Sequence, residues 1–265
     1  YRKAAQNFER YAQVFPNRKD TAQTYFRAGE TYRKLKDFRN EIRIYERFAR
    51  EYGSAPEQNK LVIQGLARVA EIHQSQGKRR QAERSWRHVI DEFNRRGMQV
   101  GTFEAQHPAR ATFELVELQF GSYQKLKLTG SLKNQGRVIK DLERKAADLK
   151  RRYAEVLQYK SNQWSIAALY RDGHVLQLFA DALAEAPVPQ SLNEEQQDMY
   201  RVKLEEAAGP IEDEAVKKFV FAHGKAKEFR MTNQWTKRVR ESLYKYRPSE
   251  YPRFREEKRM KVTRQ

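Results

Sequence analysis

The stretch FERYAQVFP, residues 8–16, returns as YERFAREYG at residues 45–53 and again as WRHVIDEFN at residues 86–94. Aligning Ala4, Glu41 and Ala82 superposes Phe8, Tyr45 and Trp86, then Tyr11, Phe48 and Val89, then Phe15, Tyr52 and Phe93. Positions i, i+4, i+7 and i+11 fall on one stripe of an α-helix. A helical stripe written three times at a pitch of about 40 residues marks a repeat array, in which each unit buries one face against its neighbours.

Composition fits an array. The chain has 265 residues, 39% of them hydrophobic and 12% aromatic, enough to bury a core. A mean hydropathy of -0.98 goes with a large surface for that core. The 53 Lys and Arg outweigh 35 Asp and Glu, for a net charge of +18 and an isoelectric point near 9.9. Nucleic-acid phosphates, an anionic membrane surface and acidic proteins or polymers could each exploit that excess. With no cysteine, disulfides and cysteine-based zinc sites are excluded, and the redox compartment stays open. No apolar run approaches the roughly 20 residues that span a bilayer. The chain begins at Tyr1 rather than Met, which leaves room for a signal or anchor upstream.

Each later copy of the stripe follows a second pattern. TYFRAGETYRKLKDF, residues 24–38, places Tyr25, Gly29 and Tyr32 on one face, and LARVAEIHQSQGKRRQA, residues 66–82, places Leu66, Ala70 and His73 at the same offsets. A small residue between two bulky ones lets a neighbouring helix come close. Bulky, small, bulky on a first helix, then small, aromatic and a closing Pro on a second, resembles the tetratricopeptide repeat. Pro16 closes the first copy, whereas Gly53 and Asn94 stand there in the next two, and the longer spacings imply longer loops such as GSAPEQ. The resemblance covers residues 1–94.

Beyond residue 104 the pattern loosens. ARATFELVELQFGSYQKL reads as a first helix and SLKNQGRVIKDLERKAADLKRRYAEVLQY as a long second one, with Ile139, Leu142, Ala146, Leu149, Tyr153 and Val156 in a coiled-coil-like seam. That seam suits packing on the preceding helix, and self-association is the alternative. WSIAALYRDGHVLQLF, residues 164–179, restores the first-helix pattern with Leu169, Gly173 and Leu176. The prolines of ADALAEAPVPQSL then break it. A helix inserted over residues 190–208, starting at Ser191, is expected next, and Pro210 should open a new one carrying Ala215, Phe219 and Ala222. The segments AALYRDG, FADALAEAPVPQSL, PIEDEAVKKF and NQWTKRVRESL, in that order, resemble the C-terminal part of large repeat proteins from the envelopes of gliding and predatory bacteria. That resemblance implies a periplasmic or outer-membrane-associated scaffold tied to gliding motility. YKYRPSEYPRFREEKRMKVTRQ, the end of the chain, lacks apolar periodicity and reads as an extended tail.

Catalytic patterns are missing. His73, His88, His107, His174 and His223 never stand four apart around a Glu, and no GxGxxG, GxxxxGK[ST] or GxSxG motif occurs. His73 falls at a repeat core position. IEDEA at residues 211–215 could be taken for a metal site, but after Pro210 it reads as acidic charge on a helix N-terminus. Basic runs at residues 78–80, 144–152 and 236–240, with aromatics nearby, are the case for nucleic acid. Against it, the aromatics sit at core offsets and the cations alternate with acids.

The sequence therefore predicts an all-α fold, a right-handed superhelical array of four to five antiparallel helix pairs. The expected division is N-terminal repeats over residues 1–104, a long hairpin over 105–160, C-terminal repeats over 161–246 and a basic tail over 247–265. Phe8, Tyr25, Tyr32, Tyr45 and Trp86 should form the inter-helix core. First helices of such arrays line the concave face, which nominates Gln23, Phe26, Glu30, Arg33, Gln64, Ala67 and Glu71 for partner binding, with Phe26 either an exposed aromatic anchor or, equally, packed under a preceding repeat. The function expected is a non-catalytic protein-interaction scaffold without cofactor or metal. Its partners should be acidic: another protein, an envelope polymer or the anionic leaflet. The competing reading is a basic helical-repeat nucleic-acid binder, which would place the chain in the cytoplasm.

Overall fold

The computed structural model describes residues 1–252. Ten α-helices follow one another among them: α1 Arg2–Val14, α2 Thr21–Lys34, α3 Phe38–Glu51, α4 Asn59–Ser75, α5 Arg79–Arg95, α6 Gln106–Tyr123, α7 Leu132–Glu155, α8 Asn162–Ala184, α9 Glu194–Glu228 and α10 Gln234–Tyr246. No strand occurs among the described residues. None of the helices is long and apolar enough to cross a membrane.

The chain forms two compact units, Tyr1–Ser122 with Arg151–Ser165, and Tyr123–Lys150 with Ile166–Gln265. Of residues 105–160, 105–122 and 151–160 belong to the first unit and 123–150 to the second.

In the first unit each of the helices α1 to α5 packs on the next. Tyr45 of α3 decides how closely. A Cβ on Gly29 of α2 would lie 2.5 Å from Cε1 of Tyr45, and one on Gly65 of α4 would lie 3.1 Å from its Cδ1. Both first helices thus press bare backbone against one ring, which is 3% exposed. The turns repeat as well. Lys36 after α2 and Gly77 after α4 both take positive φ, 55° and 69°, and each reverses the chain into a second helix. Glycine carries that conformation without strain and lysine does not.

The stripes that define the repeat are buried in the second and third copies: Tyr45 and Phe48 in α3, and Trp86, Val89 and Phe93 in α5. The first copy departs from it. Phe8 is only half-buried, and α1 buries Ala5 and Ala12, leaving Val14 and Phe15 exposed. The reason is position: α1 packs on α2, whereas α3 has helices on both sides. His73 is half-buried, with Nδ1 2.9 Å from the Ser85 hydroxyl.

The second unit repeats the glycine device. A Cβ on Gly173 of α8 would lie 2.8 Å from Cε1 of Phe219 in α9. Buried Gln135 donates to the carbonyls of Gly130 and Pro187 and accepts from the Tyr200 hydroxyl, tying α7, the loop after α8 and α9 together. Leu142, Ala146 and Leu149 in this unit, and Tyr153 and Val156 in the first, are buried within the chain, so the α7 seam is used internally. Ile139 is half-buried.

α9 corrects two expectations. It runs unbroken from Glu194 to Glu228 with Pro210 inside, so there is no separate inserted helix over residues 190–208. Its N-cap is Asn193, in a capping box with Gln196, rather than Ser191. Leu204, Ala208, Ala215, Phe219, Ala222 and Ala226 are buried on one stripe that keeps helical phase across the proline. That continuous packing offsets the one backbone hydrogen bond a proline removes. The acidic cluster at residues 211–215 accordingly lies mid-helix, with Glu214 paired to Lys150 at 2.9 Å. At the chain's end, Tyr251 meets the His223 ring edge-on. The rest of the expected tail, residues 253–265, lies outside the described residues.

Gly29→Ala should lower stability by about 1–2 kcal/mol, because the clash with the buried Tyr45 ring outweighs the gain in helix propensity. Gly224→Ala in α9, where an added Cβ meets nothing within 4 Å, should raise stability by about 0.5–1 kcal/mol. Urea midpoints of the two variants, moving in opposite directions, check this.

Candidate functional site

The row nominated on the first helices is divided by the structure. Gln23, Glu30 and Arg33 are exposed on α2. Phe26 is not an exposed anchor. It is 3% exposed, its ring 4.9 Å from that of Tyr45 and 5.3 Å from that of Phe48. A phenylalanine one turn before Gly29 is drawn into the gap that the glycine opens. Ala67 is likewise buried and Gln64 half-buried.

Glu71 is engaged in a polar ladder. Arg68 of α4 donates Nε to Glu41 at 2.7 Å and Nη1 to Glu71 at 2.9 Å. Glu71 also receives Nη1 of Arg110 from α6. The Arg110 guanidinium lies 5.4 Å from the Trp86 ring centre and 5.5 Å from that of Trp164. Trp86 donates Nε1 to Gln74 at 2.6 Å, and Gln74 donates to Glu114 at 2.7 Å. The helix face that a partner would read at α4 and α6 is therefore largely committed to holding the helices together.

Glu41 anchors the ladder. It stands at the small position of the repeat, where the aligned copies hold Ala4 and Ala82, and it is fully buried. Burial holds its carboxyl above the usual range although Arg68 opposes the shift. Glu114 is raised for the same reason, with Gln74 opposing.

The clefts on the first unit include one between α1 and α2 and one between α3 and α5. The first, of about 700 Å³, is walled by Phe8 of α1 and by Arg27, Glu30, Thr31, Arg33 and Lys34 of α2. It gathers three cations, one carboxylate and an aromatic edge. Glu30 and Arg33 of the nominated row line it. Arg27 and Lys34 escaped the sequence reading, although both lie within one helical turn of Glu30. The other cleft, about 660 Å³, runs between α3 and α5 over a floor of Leu66 and Val69. Its charges are partly spent internally, since Glu92 holds Arg95 at 2.7 Å and Arg96 at 2.8 Å.

The histidines do not converge on a site. Burial pushes His107 down to about 4, and burial followed by Arg171 and Arg238 pushes His174 down to about 3. Nδ1 of His174 lies 2.8 Å from Nη1 of Arg171, which a neutral imidazole accepts. Among the described residues no group of three or more His, Cys, Asp or Glu could hold a metal ion.

No family model matches the chain, and no curated protein matches it. Among solved structures it is similar to the C-terminal part of a TPR repeat-containing protein from Cytophaga hutchinsonii, at 11% identity over 93% of this chain and 92% of the other. The TM-score is 0.31, too low to carry an argument. What defines the fold class is the chain's own geometry: an all-α array of consecutive helices, in which Gly29 of α2 and Gly65 of α4 meet the Tyr45 ring and Gly173 of α8 meets that of Phe219.

Arg68→Ala should cost about 3–5 kcal/mol, because it strands a buried carboxylate. Adding Glu41→Ala, the residue its repeat partners carry, should recover most of that loss. A double-mutant cycle in urea tests the coupling, and additive losses would contradict it.

Stability should also fall with acid. Each histidine contributes fully above the ordinary value of 6.5, and its contribution is lost as pH falls towards about 4 for His107 and about 3 for His174. Between pH 7 and pH 5 the loss is on the order of a few kcal/mol, at about 1.4 kcal/mol per unit for each group. Glu41 and Glu114, raised in the fold, bind protons earlier folded than unfolded and act in the opposite sense. His107→Gln with His174→Gln should flatten the pH dependence of the melting temperature or reverse its slope.

Proposed function

We propose that the chain is a non-catalytic scaffold that binds other proteins, and that the exposed face of α1 and α2 is its partner surface. The observation that carries this is the cleft in which Phe8 stands beside Arg27, Arg33 and Lys34, on helices fixed from behind by the Tyr45 packing. The outer row of α2 remains exposed, while the corresponding face of α4 is occupied by the Arg68–Glu71–Arg110 ladder. A rigid helix face with an aromatic wall and excess cations suits an acidic polypeptide. For the compartment we propose the periplasm or the outer-membrane surface, in a motility-related assembly. The support is the likeness of the latter half to envelope repeat proteins.

Capture from a native lysate tests the surface, comparing the natural chain with Arg27→Glu, Arg33→Glu. Both residues are exposed, so melting should be unchanged while an acidic partner is lost. An identical set of captured proteins would remove α2 from the interface. Capture of nucleic acid alone would replace the scaffold reading.

A further inference from the structure

The charge of the first unit is distributed unevenly between its two ends. Antiparallel packing brings the start of α1, the α2–α3 turn and the α4–α5 turn to one end. The Lys34 ammonium lies 5.8 Å from the Tyr1 ring centre. Arg2 acts on Asp37. Arg79 donates to the carbonyl of Leu118 near the end of α6.

These tips are cationic. Arg2 and Lys3 begin α1; Lys34, Lys36 and Arg39 flank the first turn; Lys78, Arg79 and Arg80 form the second, and all are exposed. Across residues 1–8, 31–40 and 72–82 the sole acidic residue is Asp37, which is occupied in accepting from Asn40 at the start of α3. The opposite end is mixed: Asp20, Glu51, Glu57 and Glu92 stand among Arg18, Lys19, Arg50, Lys60, Arg95 and Arg96.

Folding does not explain the tips. Lys34 follows the favourable rule for a helix C-terminus, but Arg2, Lys3, Arg39, Arg79 and Arg80 lie in first turns, at the positive end of the helix dipole. Neither α1 nor α5 has an acidic residue there, nor a side-chain cap. The C-termini of α2 and α4 meet the same end, so the helix dipoles there largely offset one another and the positive field comes from the side chains, whose mutual repulsion an anion relieves.

We propose that this end of the first unit docks electrostatically on an anionic phospholipid bilayer. The cations sit on separate tips about one helix spacing, 8–10 Å, apart, and no cleft described above is walled by the turns; Lys34 alone reaches one. A broad, laterally mobile anionic surface engages all the tips at once without a fixed register. Tyr1, 75% exposed beside Lys34, adds an amphipathic ring of the kind that favours the membrane interface. This rests on the scaffold reading and adds a second, lipid-facing surface to it. The two can fail separately, because vesicles contain no protein and the α2 face is left untouched.

The test is cosedimentation of the full chain with vesicles of phosphatidylcholine, alone or with about a third phosphatidylglycerol. Binding should require the anionic lipid and weaken with salt. Each cation near such a surface is worth about fivefold, so Lys36→Glu, Arg39→Glu, Lys78→Glu, Arg80→Glu should lose on the order of a hundredfold or more. The control, Lys19→Glu, Arg50→Glu, Lys60→Glu, Lys160→Glu, makes the same charge change at the opposite end and should lose far less. If the first set melts early, the corresponding four glutamine substitutions take its place and should still lose the vesicles. Equal losses in the two sets would overturn the proposal in favour of bulk charge. Tighter binding of poly-glutamate or duplex DNA than of the vesicles at equal salt would overturn it in favour of an acidic polymer.

Discussion

The ring of Tyr45 is the constraint on which the N-terminal array depends. Gly29 and Gly65 both press on it, Gly29 closer than a side chain allows and Gly65 at a tight 3.1 Å. One aromatic thereby sets the spacing of three consecutive helices, and everything carried on α2 and α4 inherits that spacing. Phe219 against Gly173 does the same work in the second unit. Close approach of backbone to ring removes water from a seam that aliphatic side chains would leave looser, and it explains how so hydrophilic a chain holds a packed core.

A second device follows from that close packing. Where the repeat's small position is an alanine, the helices meet directly; where it is Glu41, a carboxylate must be buried. Arg68 neutralises it, Glu71 accepts the remaining guanidinium edge, and Arg110 between two tryptophans completes the chain of contacts. A buried ion pair seldom adds net stability over an apolar substitute, but it penalises any misregister of the helices it joins. The same residues that could have formed a binding groove are consumed in the process. Arg27, Arg33 and Lys34 of α2 stay exposed, whereas the polar face of α4 is engaged.

The repeat itself was legible in the sequence because helical periodicity records which positions meet. Tyr25, Gly29 and Tyr32, and Trp86, Val89 and Phe93, fall where their spacing puts them. What periodicity does not record is depth. Phe26 and Glu41 lie one helical step from exposed positions, and their burial depends on the room left by a glycine on the same helix or on an arginine 27 residues away. Pro210 shows the limit from the other side. A proline is a strong local signal to stop a helix, yet the apolar stripe on both sides of it stays in phase, and tertiary packing overrides the signal.

Net charge is the property least informative until it has a location. As a total, +18 is equally compatible with a solvated surface and with any polyanion. The fold converts it into a vector. Cations that alternate with acids along α3 and α5 are neutralised in place, as Arg47 is by Glu51 and Arg87 by Glu83. At the turns the acids are fewer: Asp37 is shared between Asn40 and Arg2, and Glu83 lies one helical turn from Arg79. A stable repeat does not require cations in first turns, and the helix dipole disfavours them there. Their concentration at one end, where Asp37 is the sole acid of the turns, against a mixed opposite end, is the asymmetry a directed electrostatic surface would need.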